Sequence, residues 1–251
     1  MSLIDRSVLK DGCFIPDWPA PKNVRSLQTT RNGGVSVAPY NSFNLGSHVG
    51  DVELAVARNR MLLEPMLPSE PVWLKQVHGT VVVDAGQADC WPQADACVSG
   101  HPGAVCVVMT ADCLPVLLCD DQGSVVGAAH AGWRGLCDGV LEQTVLAMKV
   151  PPASLMAWFG PAISAQAFEV GEEVRTAFVE RQSQAAAAFA PGTGGKWFAD
   201  IYQLARLRLN ALGITRIYGG GLCTYSDADR FFSYRRDGVT GRMGTFIWLA
   251  E

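Results

Sequence analysis

Histidine is the scarcest chemically useful residue in this chain: positions 48, 78, 101 and 130 hold all 4 in 251 residues. So few imidazoles exclude any function that needs several histidine-built metal clusters. Charge is thin too, at 18% of residues, with a net value of −4 and no cluster of lysine and arginine. A basic face that could follow a phosphate backbone is therefore lacking, and no nucleic acid is expected as a partner. No apolar run approaches the roughly 20 residues that span a bilayer, so no membrane is expected either. The opening stretch MSLIDRSVLKDGCFIPDW has no long apolar core after a basic start. It does not read as a secretory signal, and the expected compartment is the cytoplasm. Repeats, low-complexity tracts and linker-like breaks in composition are also missing.

What is present is apolar residue, 49% of the chain, which describes a compact core. The length suits one large domain. The expected organisation is a single domain over 1–251, with 1–15 as a loosely ordered N-terminal segment, acting as a monomer or weak homo-oligomer. Eight cysteines (13, 90, 97, 106, 113, 119, 137 and 223) could make four disulfides. Several lie inside apolar runs, however, and without a secretion signal they read as reduced thiols.

Residues 52–67 have helical spacing and stop at Pro68, while PVWLKQVHG and TVVVDA read as a hairpin-like strand pair. GAVCVVMT, LPVLLCD and SVVGAAH are three close strand candidates; the short DQG between the last two favours antiparallel neighbours. Helices follow in AGWRGLCDGVLEQTVLAMK, GEEVRTAFVERQSQAAAAF and DIYQLARLRLNALG, and strands in LMAWFG, TRIYGGG, RFFSYRR and GTFIWLA. Adjacent strands mixed with helices predict an α+β layered domain.

Three candidate ligands stand where strand-like runs give way to turns: His78 in KQVHG, Cys113 in TADCLP and His130 in AAHAGWRG. Chain ends of this kind can converge while a sheet holds them rigid. The intervening 34 and 16 residues form no compact metal motif. On its own residues Cys113 is open to packing, nucleophile and ligand readings, with packing ahead because unpaired cysteine is among the most buried residue types. In HAGWRG two glycines flank Trp133-Arg134 at an expected helix start, where unpaired N–H groups favour anions.

Taken together, TRNGGVSVAPYNSFNLGSHVGD, NR at 59–60, WLKQVHG, VCVVMTADCLPVLL, AAHAGWRG, GPAI and CTYSDADRFFSYRRDGVTGRM resemble the YfiH-type family. That family was once labelled multicopper polyphenol oxidase, or laccase. It is now described as purine nucleoside phosphorylase with adenosine deaminase activity; bacterial members are also called peptidoglycan editing factor, and FAMIN is a relative. The resemblance implies a four-layer α/β/β/α sandwich of the cysteine-hydrolase-like type shared with a bacterial cytotoxin. It also implies one zinc ion held by His78, Cys113 and His130, and a small-molecule nucleoside and phosphate as partners.

Three N/S ligands leave a fourth position for water, the pattern of a catalytic zinc site, and the metal lowers that water's pKa to about 7. The resemblance also implies adenosine, inosine, guanosine and methylthioadenosine as phosphorolysis substrates, with adenosine deamination beside them. Deamination also calls for a separate carboxylate, and Asp112 is nearest in sequence. Adjacent strand residues face opposite sides, so Asp112 reaches the site only if the chain turns there; capping or pairing with an arginine is its other reading. Phosphate calls for planar guanidinium donors, with Arg60, Arg134 and Arg235 (beside Arg236) as candidates. Asn44, His48 and Gln76 are candidates for nucleoside contact or for turn roles. Laccase chemistry with a trinuclear cluster needs far more than 4 histidines. A single blue-copper site with Met109 as fourth ligand remains open, as do a metal-free Cys–His hydrolase and an amidase editing a wrong amino acid in a cell-wall precursor.

Overall fold

The computed structural model describes residues 12–88 and 90–251. The apolar runs become strands buried on both faces, and their period of two sorts side chains between layers. In β6 (Leu114–Asp120), Leu114, Val116 and Leu118 join the core under the helices, while Leu117 and Cys119 join the core between two sheets. β7 (Val126–Ala131) divides in the same way, with Ala129 and Ala131 against Val126 and Ala128. So does β8 (Leu155–Phe159), where Phe159 faces the helices and Trp158 the second sheet. Double burial explains why these segments read as unbroken apolar runs.

With β3 (Val82–Asp84), β4 (Ala96–Ser99) and β12 (Ile217–Gly219), these strands build a six-stranded mixed sheet ordered β12-β8-β6-β7-β4-β3. A second sheet is ordered β1-β2-β13-β5, from Cys13–Phe14, Val24–Thr29, Met243–Leu249 and Cys106–Thr110 respectively. Its β13 puts Ile247 and Leu249 between the sheets and Phe246 and Trp248 on the outside. Helices α2 (Trp133–Asp138), α3 (Val140–Ala147) and α5 (Ile201–Ala211) supply Leu136, Leu141 and Leu204 to the core on the six-stranded sheet. The outer core of the second sheet is closed by Leu63 and Met66, just after α1 (Glu53–Met61). The layers therefore run helix, sheet, sheet, helix, as the resemblance implied. A small sheet ordered β10-β11-β9 (Phe189–Pro191, Trp197–Ala199, Glu169–Val170) flanks α4 (Glu172–Arg181).

Several local expectations change. PVWLKQVHG and TVVVDA do not form a hairpin: β3 pairs parallel with β4, and 71–79 is irregular with isolated bridges. Its last three amides are engaged by a carboxylate, described below. The two helices α2 and α3 replace one because Gly139 takes φ +105° between them. RFFSYRR is not a strand either. Phe231 and Phe232 are fully buried beside Ala111 and Met243, and Ser233 caps the short α6 (Tyr234–Asp237) by accepting from the Arg236 N–H. All eight cysteines are free thiols. Of the segment expected to be loose, 1–11 lies outside the described residues, whereas Cys13 and Phe14 pair with Thr29 and Gln28. Among the described residues no helix is long and apolar enough to cross a membrane.

Candidate metal centre

β6 and β7 run antiparallel with Pro115 opposite His130 and Leu114 opposite Ala131. One further step puts Cys113 opposite Gly132. By strand alternation His130 shares the inter-sheet face with Val126 and Ala128, so its ring emerges at the open end between the two sheets. Cys113 reaches the same mouth from the β5–β6 loop, which Asp112 turns with φ +93°. His78 comes from the irregular segment before β3, also left-handed at φ +62°. The three side chains converge: their ligand atoms all lie within 4.8 Å of one another, with His78 exposed, Cys113 half-buried and His130 buried. The cluster thus has a buried floor and one side open to the surface.

A left-handed histidine backbone costs about 1–2 kcal/mol and needs something to hold it. Asp95, fully buried at the start of β4, is what holds it. Its carboxylate accepts the N–H groups of Val77 (3.1 Å), His78 (2.9 Å) and Gly79 (2.7 Å). The same carboxylate accepts from His130 Nδ1 at 2.8 Å. One buried acid therefore sets both the loop carrying His78 and the ring orientation of His130, leaving Nε2 of His130 for the cluster. This is the outer support that metal-binding histidines ordinarily have.

Electrostatics follow. Burial pushes the Cys113 thiol up, but His130 and His78 overcome it and bring it down to about 6. Burial pulls His130 down, yet Cys113 and Asp95 raise it to about 9. Asp95 is pushed up by burial and pulled below the carboxylate norm by His130 and the Gly79 and Val77 amides. Two imidazole nitrogens and a thiol that ionises readily are the donor chemistry of an open metal site, so this group fits a metal ion.

HAGWRG is explained by packing. A Cβ on Gly132 would stand 2.7 Å from the His78 ring and 3.0 Å from Cys113 Sγ, and one on Gly135 would stand 2.7 Å from the Gly79 carbonyl. Only bare backbone lets α2 pass this close to the cluster.

The remaining candidates separate. Asp112 is turned inward: its two oxygens accept from Thr224 Oγ1 and from the Arg235 N–H, each at 2.6 Å. Asn44, fully buried, donates to Asp51 and Gly46 and accepts from the N–H groups of Gly46 and Arg242. Gln76 pairs with both backbone groups of Met109, whose side chain lies in the outer core with Phe43 and Phe246. Arg60 donates to the Leu45 carbonyl with its guanidinium 3.8 Å from the Trp73 ring centre and 4.6 Å from that of Trp91. Arg134 is exposed over Trp133, and Arg235 donates to the Glu169 carbonyl. His48 lies at the surface, its imidazole held below the ordinary range by partial desolvation from its neighbours and by Arg242, Arg60 and His130. Two residues escaped the sequence reading: Asp95, an acid opening the apolar ACVS run, and Arg242, in the TGRM block just before β13.

Compared with known proteins, residues 25–250 match the family model described as multi-copper polyphenol oxidoreductase laccase. The chain is 55% identical over 239 residues to the purine nucleoside phosphorylase YfiH of Escherichia coli, covering 94% of this chain and 98% of that one. The chain belongs to the YfiH (DUF152) family. A purine nucleoside phosphorylase of Pseudomonas aeruginosa is 54% identical over 237 residues, with 94% and 98% of the two chains covered. A crystal structure of a Neisseria meningitidis DUF152 protein superposes with a TM-score of 0.93 at 54% identity, covering 96% of this chain and all of that one. The family's description names copper, whereas the YfiH relatives carry the name of a nucleoside enzyme.

Proposed function

We propose that this chain is a zinc-dependent purine nucleoside enzyme, phosphorolysing adenosine, inosine, guanosine and methylthioadenosine and also deaminating adenosine. The observation that carries the reading is the convergence of His78, Cys113 and His130 within 4.8 Å on a side open to the surface. Names borne by relatives more than half identical supply the substrate class. Zinc suits two nitrogens and one thiolate and, when bound, would supply a water whose pKa is lowered to about 7.

In phosphorolysis an oxygen of inorganic phosphate bonds to the sugar's anomeric carbon as that carbon's bond to the purine breaks. The bonding pair leaves with the base, and the proton given up by phosphate ends there. In deamination, water adds at the purine carbon bearing the amino group and ammonia departs. The chain's own part is positional: Asp95 fixes His78 and His130, and the strand ends of β6 and β7 hold Cys113 against them.

One observation favours a second reading. Cys113 Sγ lies 3.8 Å from His78 Nε2, and against burial His130 and His78 pull its thiol down to about 6, as a metal-free Cys–His hydrolase requires. The test incubates zinc-loaded protein with adenosine, with and without inorganic phosphate. Adenine is expected only with phosphate, inosine in either case, and neither from Cys113→Ala or after chelation. Turnover that survives chelation but not thiol alkylation favours the second reading; turnover in Cys113→Ala contradicts both.

A further inference from the structure

Antiparallel register sets Met243 against Thr110. One residue outward, Arg242 therefore lies beside Ala111, at the base of the loop that carries Asp112 and Cys113. Its position is fixed from three directions. The Arg242 N–H donates to Asn44 Oδ1 at 2.9 Å, and its carbonyl accepts the Leu45 N–H at 3.1 Å. Its stem lies across Gly46, where a Cβ would stand 2.8 Å from Arg242 Cγ. Nη1 donates to the carbonyls of Thr240 and Gly241 at 2.9 and 3.0 Å.

The Nη2 edge of this fork has no protein acceptor among the described residues, and no carboxylate among them comes within 4.0 Å of the guanidinium. Burial holds the guanidinium below its ordinary range while Cys113, Asp112, Tyr234 and Tyr40 pull it the other way; it lies 5.9 Å from the Tyr234 ring centre and acts in turn on His48. A half-buried cation held rigid at the lip of a metal centre, with no carboxylate partner, is an ion pair missing its anion. A planar fork matches the oxygens of a tetrahedral oxyanion. The arginines singled out from the sequence are less suited. Arg60 is committed to the Leu45 carbonyl and two tryptophans, and Arg235 reaches away to Glu169.

We propose that Arg242 seats the inorganic phosphate co-substrate, holding its oxygens on the open edge of the fork beside the His78–Cys113–His130 cluster. The inference rests on the phosphorylase reading above. The phosphate so held is the one whose oxygen bonds to the anomeric carbon while the electron pair of the broken bond leaves with the purine.

The experiment compares wild type, Arg242→Met, Arg242→Lys and Arg216→Met, all zinc-loaded. Arg242→Met keeps the stem over Gly46, and Arg216 is a surface cation paired with Asp121. Phosphorolysis is measured against phosphate and against adenosine separately, and thermal stability with and without inorganic phosphate. The KM for phosphate should rise about tenfold or more in Arg242→Met, less in Arg242→Lys, and not in Arg216→Met. Arg242→Met should also lose the phosphate-induced rise in Tm. An unchanged phosphate KM with an unchanged Tm shift would overturn the inference; so would loss of bound zinc in Arg242→Met, which makes Arg242 a scaffold residue. If wild type forms no adenine but its phosphate-induced Tm shift depends on Arg242, the anion seat stands and the phosphorylase reading falls.

Discussion

The β6–β7 pair has a buried carboxylate at each end, and the two are used differently. At the turn end, Asp120 accepts from the Ser124 N–H (2.7 Å), Ser124 Oγ (2.7 Å) and the Val125 N–H (3.1 Å). All of these belong to its own turn. At the open end, Asp95 accepts from three amides of 77–79 and from the His130 ring, groups 16 to 35 residues away. Both acids are pushed up by burial, and in both the hydrogen bonds win and hold the carboxyl below its usual range. The shift is alike; what differs is that Asp95 holds His78 and His130, two members of the candidate metal cluster, whereas Asp120 shapes a turn. The direction of a pKa shift does not separate a structural acid from one that positions a site. The identity of the partners does.

Replacing each acid breaks or sharpens that contrast. Asp95→Ala should weaken metal binding by about 10- to 100-fold, because the support of a ligating histidine is lost. It should also cost about 2–4 kcal/mol of stability by leaving buried amides unpaired. Asp120→Ala should cost about 1–3 kcal/mol with metal affinity and turnover unchanged. Chemical denaturation alongside zinc titration separates the two outcomes, and equal metal affinity in both variants would erase the distinction.

A smaller effect is expected from Gly132→Ala. Its new methyl must displace the His78 ring or Cys113 Sγ, so metal affinity should fall about tenfold, with a helical circular dichroism spectrum like that of wild type. Unaltered metal affinity would mean that the strand ends are looser than described.

The smallest effect concerns acid. Because Asp120 is held below its ordinary value, its contribution is complete above about pH 4 and lost as pH falls through the folded-state value. Asp120→Asn should therefore flatten the acid limb of the stability–pH curve slightly. A steeper limb would contradict the assignment.

The contrast also bears on what the sequence made legible. β6, β7 and β8 could be read because burial on both faces leaves unbroken apolar runs. His78, Cys113 and His130 stood out because each interrupts such a pattern at its end. Asp95 did not, since its role exists only through contact with residues far along the chain and leaves no local spacing. RFFSYRR misled for a related reason: aromatic residues that fill a pocket beneath a loop look like strand residues until Ser233 and Asp112 are seen to cap α6. What separates Arg60 from Arg242 as an anion seat is what their guanidinium groups meet, which composition and spacing do not record.

The most direct measurement is the metal content and coordination of purified, zinc-loaded wild type beside Cys113→Ala, by elemental analysis and zinc-edge X-ray absorption. A single ion per chain ligated by two nitrogens and one sulfur, with the sulfur signal gone and occupancy sharply reduced in the variant, is the predicted result. Undiminished zinc in Cys113→Ala, or a wild type that takes up no metal at this cluster, would contradict the account.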